Sequence, residues 1–584
     1  MPKTERNLPM KKISVILIAI CIMLGVFSVN AMAATSKEPV MHVLYGSMSK
    51  DFDDFEDGWN FAMEQANSGK EVHVTLLADW TADNEGQFTD DFLNGPGFDY
   101  DAIYFADNVT MTLDLGRHTI DRGLTLSEQN GEVMFINDGA NVTIKNGTIK
   151  GGCSDNGAGG IHIEGANVSL IDLVFTGNRV HNDDGAAIQH VGGGELYMKN
   201  CRFVDNDCKD KGYDIYGTVY LDGVDKVLIE DCYFADNDNV DYGGAIHADE
   251  CNDFVIKNTV FENIQAGDRG GAIWVGDSEL YIYNCKFNNN SCGNYGGAIY
   301  ASYARVYVYD SEFKGNYADW HGGAVYLTAN DMENDSIPAY FYRCTFDGNG
   351  AGEEGGAIYC SDGLSVTTRA ITYGCEFINN SAGEKGGAVS TELDCGFEFY
   401  SDKETGRPGI IKNNSAGELG GGIYQGKNSP IDFGGEIYIS GNVSSVGADD
   451  FHVNYGGIYL DIQESITSPD GSIGIYYTDT DGGSLAEWID ESITVNPKAF
   501  FFNNAEFELV LGEEYANTMA YQGKIYTIDL IPKTAAVGSI FGEGSLAMIV
   551  ALAALIASGF SIFMIADMKK KLVSANAAVG EDEE

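Results

Sequence analysis

Gly296–Asn316 reads GGAIYASYARVYVYDSEFKGN. A Gly-Gly turn opens it, and a short strand over 298–301 follows. A second strand is predicted over Arg305–Tyr309. A third short piece, Ser311-Glu312-Phe313, ends in a turn at Asn316. At Gly322 the pattern begins again. One such unit has no partner for its apolar side, whereas stacked copies bury it against each other, which is the logic of a solenoid.

Further copies lie on both sides. The Gly that opens GGA[IV] or GGGI falls at 243, 270, 296, 322, 355, 386 and 420, at intervals of 27, 26, 26, 33, 31 and 34 residues. Weaker forms start at Gly159 and Gly185. A second signal, Phe-x-x-Asn, keeps step: Phe175/Asn178, Phe203/Asn206, Phe234/Asn237, Phe287/Asn290, Phe313/Asn316, Phe346/Asn349 and Phe377/Asn380. Phe261 is followed by Ile264 instead of Asn, and Ile410/Asn413 and Ile439/Asn442 keep only the Asn. The Asn column is expected to be structural, because Asn tolerates left-handed corners and bonds backbone groups of neighbouring coils.

Parity gives the cross-section. In Glu279–Phe287, Leu280 and Ile282 share one face of a strand, whereas Cys285 and Phe287 have the other parity. All four are buried only if the chain turns a corner near Tyr283–Asn284. Strands separated by corners, each coil lying on the last, make a parallel β-helix. The period allows three short strands per coil, and roughly eleven to thirteen coils at ~4.8 Å each span ~53–62 Å.

This double motif resembles the tandem repeat of the chlamydial polymorphic outer-membrane proteins and, more loosely, the pectate-lyase-like β-helices of bacterial surface proteins. The resemblance covers about Val142 to Asn442. It implies an all-β, right-handed parallel β-helix with a surface or adhesive role. Those proteins end in an outer-membrane barrel, whereas the last segment here reads as a single apolar span.

Composition narrows the partners. The 73 Gly accompany only 10 Pro, so repeat turns account for them. Lys and Arg total 35 against 87 Asp and Glu, a formal net charge of -52, which argues against nucleic acid or anionic lipid as a partner. Of 12 Cys, Cys21 lies in the leader and 11 remain, an odd number that disfavours full pairing. Cys201, Cys232, Cys285, Cys344 and Cys375 all stand two residues before the column Phe, where Thr259 and Ser311 stand in other coils. A slot that accepts Cys, Ser and Thr predicts a ladder of small buried side chains, with reduced thiols.

In chain order, residues 1–33 read as a secretory signal: Lys11-Lys12, an apolar run from Ile13 to Val29, and cleavage after Ala33. Residues 34–70 form a capping segment in which Phe55, Trp59, Ala62, Met63 and Ala66 are spaced as one face of a helix. The β-helix is placed at 71–450 and a β-rich module at 451–530. Residues 531–584 read as an anchor. Gly544 to Ala566 is uncharged and long enough to span a bilayer as a transmembrane helix, and Lys569-Lys570-Lys571 follow. Before it, Ile531-Pro532-Lys533-Thr534-Ala535 resembles a sortase signal, which would make Thr534 the processing residue and the cell wall the attachment; the alternative is a plain single-pass membrane anchor. The extracellular side of the envelope is the expected location.

The sequence predicts no enzyme and no cofactor. Asp183-Asp184 is a carboxylate pair, but no Gly-His-Gly or Arg-Ile-Lys follows it, and Arg269 and Lys385 read as loop charges. Acids recur before the Gly-Gly turns at Asp184, Asp241, Asp268, Glu354, Glu384 and Glu418, either as a solvated face or as a weak calcium edge. The residue after the repeat Ile or Val is aromatic at Trp274, Tyr300, Tyr326 and Tyr359, and its parity points it outward. Tyr281 and Tyr307 form a second outward set, and Tyr283, Tyr309 and Tyr342 a third. These rings predict either cross-coil stacking or a flat platform for a glycan or protein ligand. The resulting reading is an envelope-anchored adhesin or ligand-display protein. Its alternatives are a polysaccharide-active enzyme and a structural stalk.

Overall fold

A computed structural model describes residues 37–532. The exceptions are 83–97, 100–101, 125–130, 156, 182, 209–214, 238–239, 330–336, 362–367, 428, 454–459, 467–472, 478–482, 489–499, 503–506 and 518–521; beyond 452, side chains are described only at Ser465 and Ile466. The expected signal, with Ala33, and the expected apolar span, with Thr534, lie outside the described residues. Among the described residues no helix is long and apolar enough to cross a membrane.

The fold is a right-handed parallel β-helix of about 11 turns. Each central coil contributes to four ladders, not the three predicted. One coil is Ile299–Ser302, Arg305–Tyr309, Glu312–Lys314 and Tyr317–Ala318. The next coil continues each in parallel register: Ile299↔Val325, Val306↔Ala339, Phe313↔Phe346 and Tyr317↔Gly350. The fourth ladder escaped prediction because its strands are two residues long and alternation over two residues is invisible.

Inside, the column Phe rings stack coil on coil. Phe287, Phe313 and Phe346 follow one another at 4.7 Å, with planes 3–5° apart. Two residues earlier runs the small-residue ladder. The Cys285 N–H donates to Ser311 Oγ at 3.0 Å, and the Cys344 N–H to Cys375 Sγ at 3.3 Å. The ten cysteines whose side chains are described are all buried. Burial pushes the Cys285 thiol up to about 12, so it stays protonated.

The Asn column is buried and continuous from Asn290 to Asn442. Asn316 Oδ1 accepts from the Asn290 N–H and from Asn290 Nδ2, both at 3.0 Å, while Asn316 Nδ2 donates to the Phe287 carbonyl and to Asn349 Oδ1 at 2.9 Å. The left-handed corner belongs to the residue before it: Asn263, Asn289, Gly315, Gly348, Asn379 and Asn413 carry the positive φ. The register near the end also differs from the sequence reading. Ile411, not Ile410, pairs with Phe377, so Asn414 joins the ladder and Asn413 makes the turn. At the far end the Asp450 carboxylate takes the Asn role, accepting from Asn442 N and Nδ2 at 2.8 Å.

The Gly-Gly pairs follow from close stacking. The first Gly has φ near +65 to +72 in the central coils. A Cβ on the second would collide with the next coil: on Gly271 it would stand 2.1 Å from the Gly297 carbonyl oxygen. The predicted corner at Tyr283–Asn284 is also present, with Asn284 at φ 52.

At the N-terminal end a helix, Phe55–Asn67, forms where spacing predicts it. Asp54 caps it by accepting from the Asp57 N–H, and Phe55, Trp59, Ala62, Met63 and Ala66 are buried. The Trp59 ring meets Phe105 edge-on at 5.0 Å. At the other end, parallel pairing does not stop at 450. Phe451–Val453, Ile473–Tyr477 and Phe500–Phe502 continue it, before an antiparallel hairpin of Phe507–Asn517 and Gln522–Pro532.

Candidate functional sites on the outer faces

The expected aromatic platform splits into two different surfaces. On the first ladder, Tyr300, Tyr326 and Tyr359 point away from the core but are 5, 8 and 5 % exposed. The residue before each Gly-Gly turn folds over them. Tyr295 packs 4.7 Å from Tyr326, His321 stacks 4.6 Å from Tyr359, and the Arg269 guanidinium lies 5.4 Å from the Tyr300 ring centre. Arg269 also faces Tyr242 and Tyr295, so the supposed loop charge sits among three tyrosines. Trp274 is half-buried in the same cluster. An open binding surface over Tyr300, Tyr326 and Tyr359 is therefore corrected to a covered row.

On the second ladder the rings stay half-exposed. Tyr281 and Tyr307 stack at 4.7 Å and 7°, and Tyr307 and Tyr340 at 5.2 Å and 4°. Beside them Tyr309, Tyr342 and Tyr373 stack at 4.7 and 5.0 Å. Parallel rings one coil apart cover each other's faces. What such a row offers a ligand is ring edges and phenol hydroxyls, not flat rings.

This second surface ends in a cleft of about 410 Å³ over Tyr309, Tyr342, Tyr373, Arg343, Asp402 and Glu404. Arg343 is held from both sides, by Asp310 at 2.7 and 2.9 Å and by Asp402 at 3.2 Å. Arg407 fastens the same loop to the Arg343 carbonyl at 2.7 Å and to Glu376 at 2.9 Å. Sequence reasoning missed Arg343 and Asp402. The one available signal was that Arg343 replaces the Asn or Asp of other coils at a left-handed corner.

A third constellation lies near the start of the stack. His162 Nδ1 is 3.1 Å from Glu132 Oε1, and a Cβ on Gly157 would stand 2.3 Å from both atoms. Asp183 accepts from the Gly157 N–H at 2.7 Å and from Gln189 Nε2 at 3.0 Å. Burial pushes the Glu132 carboxyl up to about 7, against the pull of its His162 hydrogen bond. Burial does the same to Asp184, also to about 7. For His162, burial alone would lower the pKa, but Glu132, Glu164 and Asp183 outweigh it and raise it. Glu132 Oε2 and His162 Nε2 have no hydrogen-bond partner among the described residues, and Nε2 stands 3.8 Å from Glu164 Oε1. The Asp183-Asp184 pair was the visible part of this group; Glu132 was hidden by a separation of about two coils.

The recurring acids do not form one calcium edge. Asp184 and Glu354 belong to the column directly before the glycines, whereas Asp241, Asp268, Glu384 and Glu418 stand one residue earlier. Glu354 is paired with Lys385 at 2.7 Å. Among the described residues no group of three or more His, Cys, Asp or Glu is arranged to hold a metal ion.

A family model described as "Right handed beta helix region" matches residues 133–313 and 217–435, together just over half of the 584 residues. The chain belongs to the right-handed β-helix family. Family membership accounts for the stacked parallel coils and leaves the outer faces to this chain's own residues. No curated protein and no solved structure matches the chain.

Proposed function

We propose that this protein is a secreted, envelope-anchored β-helix that binds a glycan in the Tyr309–Tyr342–Tyr373 cleft, as an adhesin or ligand-display protein. The carrying observation is the cleft itself: tyrosine edges on one side, and Arg343, Asp402 and Glu404 on the other. Paired charged groups and phenols suit a molecule rich in hydroxyls. The volume of about 410 Å³ suits a few sugar units and is too small to seat a protein partner. The leader at 1–33 and the anchor at 531–584 supply the outward location in this reading, with Ala33 and Thr534 as processing residues. A glycan array probed with the full chain tests it. Binding that is lost in Tyr342→Ala and kept in Tyr326→Phe supports the cleft; no glycan bound, or equal binding by both variants, rejects it.

A second reading rests on Glu132 and His162. A buried carboxyl and an imidazole 3.1 Å apart, with Asp183 beside them, carry the elements of general acid–base catalysis on a polysaccharide. Release of reducing or unsaturated ends from uronic-acid and neutral polymers, abolished in Glu132→Gln, supports that reading; no release across the polymers removes it.

A further inference from the structure

The short fourth ladder borders a strip that neither reading uses. Its outward column runs Tyr317, Gly350, Ser381, Ser415, Val443, in register from coil to coil. Beside it Gly352, Gly383 and Gly417 leave bare backbone. A Cβ on any of them would lie 1.9 Å from the carbonyl oxygen of the preceding coil. The next column is Trp320, Glu353, Glu384 and Glu418, chained by the Glu353 N–H to the Trp320 carbonyl at 2.8 Å and the Glu384 and Glu418 N–H groups to Glu353 and Glu384 at 2.7 Å. The strip therefore has a glycine floor, a wall of three carboxylates and apolar groups at both ends. Its four coil steps cover ~19 Å, the length of about six extended residues.

Two observations mark it as unpartnered. Eight large apolar side chains are exposed among the described residues, and four stand at its ends: Tyr317 and Trp320 at 45 % each, Val443 at 48 % and Val446 at 41 %. Trp320 is braced upright by Tyr295, edge to face at 5.6 Å. Along the wall, Glu384 and Glu418 form no ion pair with a described residue, and Glu353 meets only His321, at 3.4 Å. Burial lowers the His321 pKa, so at neutral pH that ring leaves the Glu353 charge uncompensated. Like charges one coil apart repel.

We propose that this strip binds an extended basic peptide segment of a partner protein, with lysines or arginines along the carboxylate wall and an apolar residue at each end. A second copy of this chain is a poor occupant, because each carries a formal charge of -52. The strip is distinct from the glycan cleft, so either assignment can fail without the other.

The test is fluorescence titration of the full chain with a dye-labelled peptide carrying three alternating lysines between an aromatic and an aliphatic end, beside its glutamate counterpart. The lysine peptide is expected to bind and the glutamate peptide not. Trp320→Ala, which changes no charge, and Glu353→Gln/Glu384→Gln/Glu418→Gln are each expected to weaken binding by about tenfold or more. Asp205→Asn/Asp236→Asn/Asp253→Asn removes three exposed acids elsewhere and is expected to leave it unchanged. Every substituted residue is at least partly exposed, and unchanged melting temperatures check the fold. Affinity that is untouched by Trp320→Ala, or that falls equally in both triple variants, shows general attraction to an acidic protein and overturns the strip. So does no binding of the lysine peptide.

Discussion

Tyr326 and Tyr307 sit in neighbouring ladders, each stacked on a tyrosine one coil away at about the same spacing, 5.2 and 4.7 Å. Their parities relative to the core are equivalent. Yet Tyr326 is buried and Tyr307 is half-exposed. The difference comes from the chain before the Gly-Gly turn, which folds back over the first ladder and brings Tyr295 and His321 onto the outward rings. Among the described residues no such turn folds over Tyr307. A repeat therefore dictates direction, and exposure depends on what the adjoining turn brings along.

The comparison predicts unequal costs for the same substitution. Tyr326→Ala is expected to lose about 3 kcal/mol of stability, as for an aromatic truncated in a packed interior, read by denaturant midpoint. A loss below about 1 kcal/mol would mean the covering residues close over the gap and the row is not a second core. Next comes Asn316→Ala, an interior measure for both rows. It removes two buried acceptor contacts and two donor contacts, and should cost about 2 kcal/mol. Tyr307→Ala should cost about 0.2–1 kcal/mol, the worth of a cross-strand pair on an open face. If Tyr307→Ala proves as damaging as Tyr326→Ala, the distinction between covered and open rows fails.

The smallest effect concerns pH. A carboxyl whose native pKa is raised holds a proton that the unfolded chain has released. Stability is therefore lost as pH climbs from the ordinary Glu range toward 7. The raised His162 acts in the same direction, its contribution fading as pH rises through its native pKa. Glu132→Gln should therefore gain relative to wild type by a few degrees of Tm between pH 5 and pH 8. A constant difference across that range would show that Glu132 is ionised throughout.

Much of the fold was legible because its determinants repeat at fixed offsets. The Gly-Gly turn, the column Phe and the Cys/Ser/Thr slot each announce one coil, and the coil then follows from parity. The reading slipped where a signal was short or shifted by one residue. Two-residue strands such as Tyr317–Ala318 carry no periodicity, and Asn413-Asn414 offers two asparagines for one ladder position. The outer sites were less legible for a different reason. Arg343 and Asp402 are 59 residues apart, and Glu132 and His162 are 30 apart. Neither pair repeats, so no column draws attention to it.

The asparagine ladder has a direction. From Asn290 to Asn442 each amide oxygen accepts from the coil before it, and each amide nitrogen donates back to a carbonyl of that coil and onward to the next side-chain oxygen, until the Asp450 carboxylate receives the last donation. Between Asn290 and Asn442 the chemistry of each position is the same, so a whole coil can be duplicated or deleted there and the chain of amides simply closes up. Asp450 cannot be copied inward, because a carboxylate has no N–H to hand on. Coil number within the ladder is thus free to drift by unequal recombination, while the end of the amide run stays fixed at Asp450, as punctuation does in a sentence of variable length.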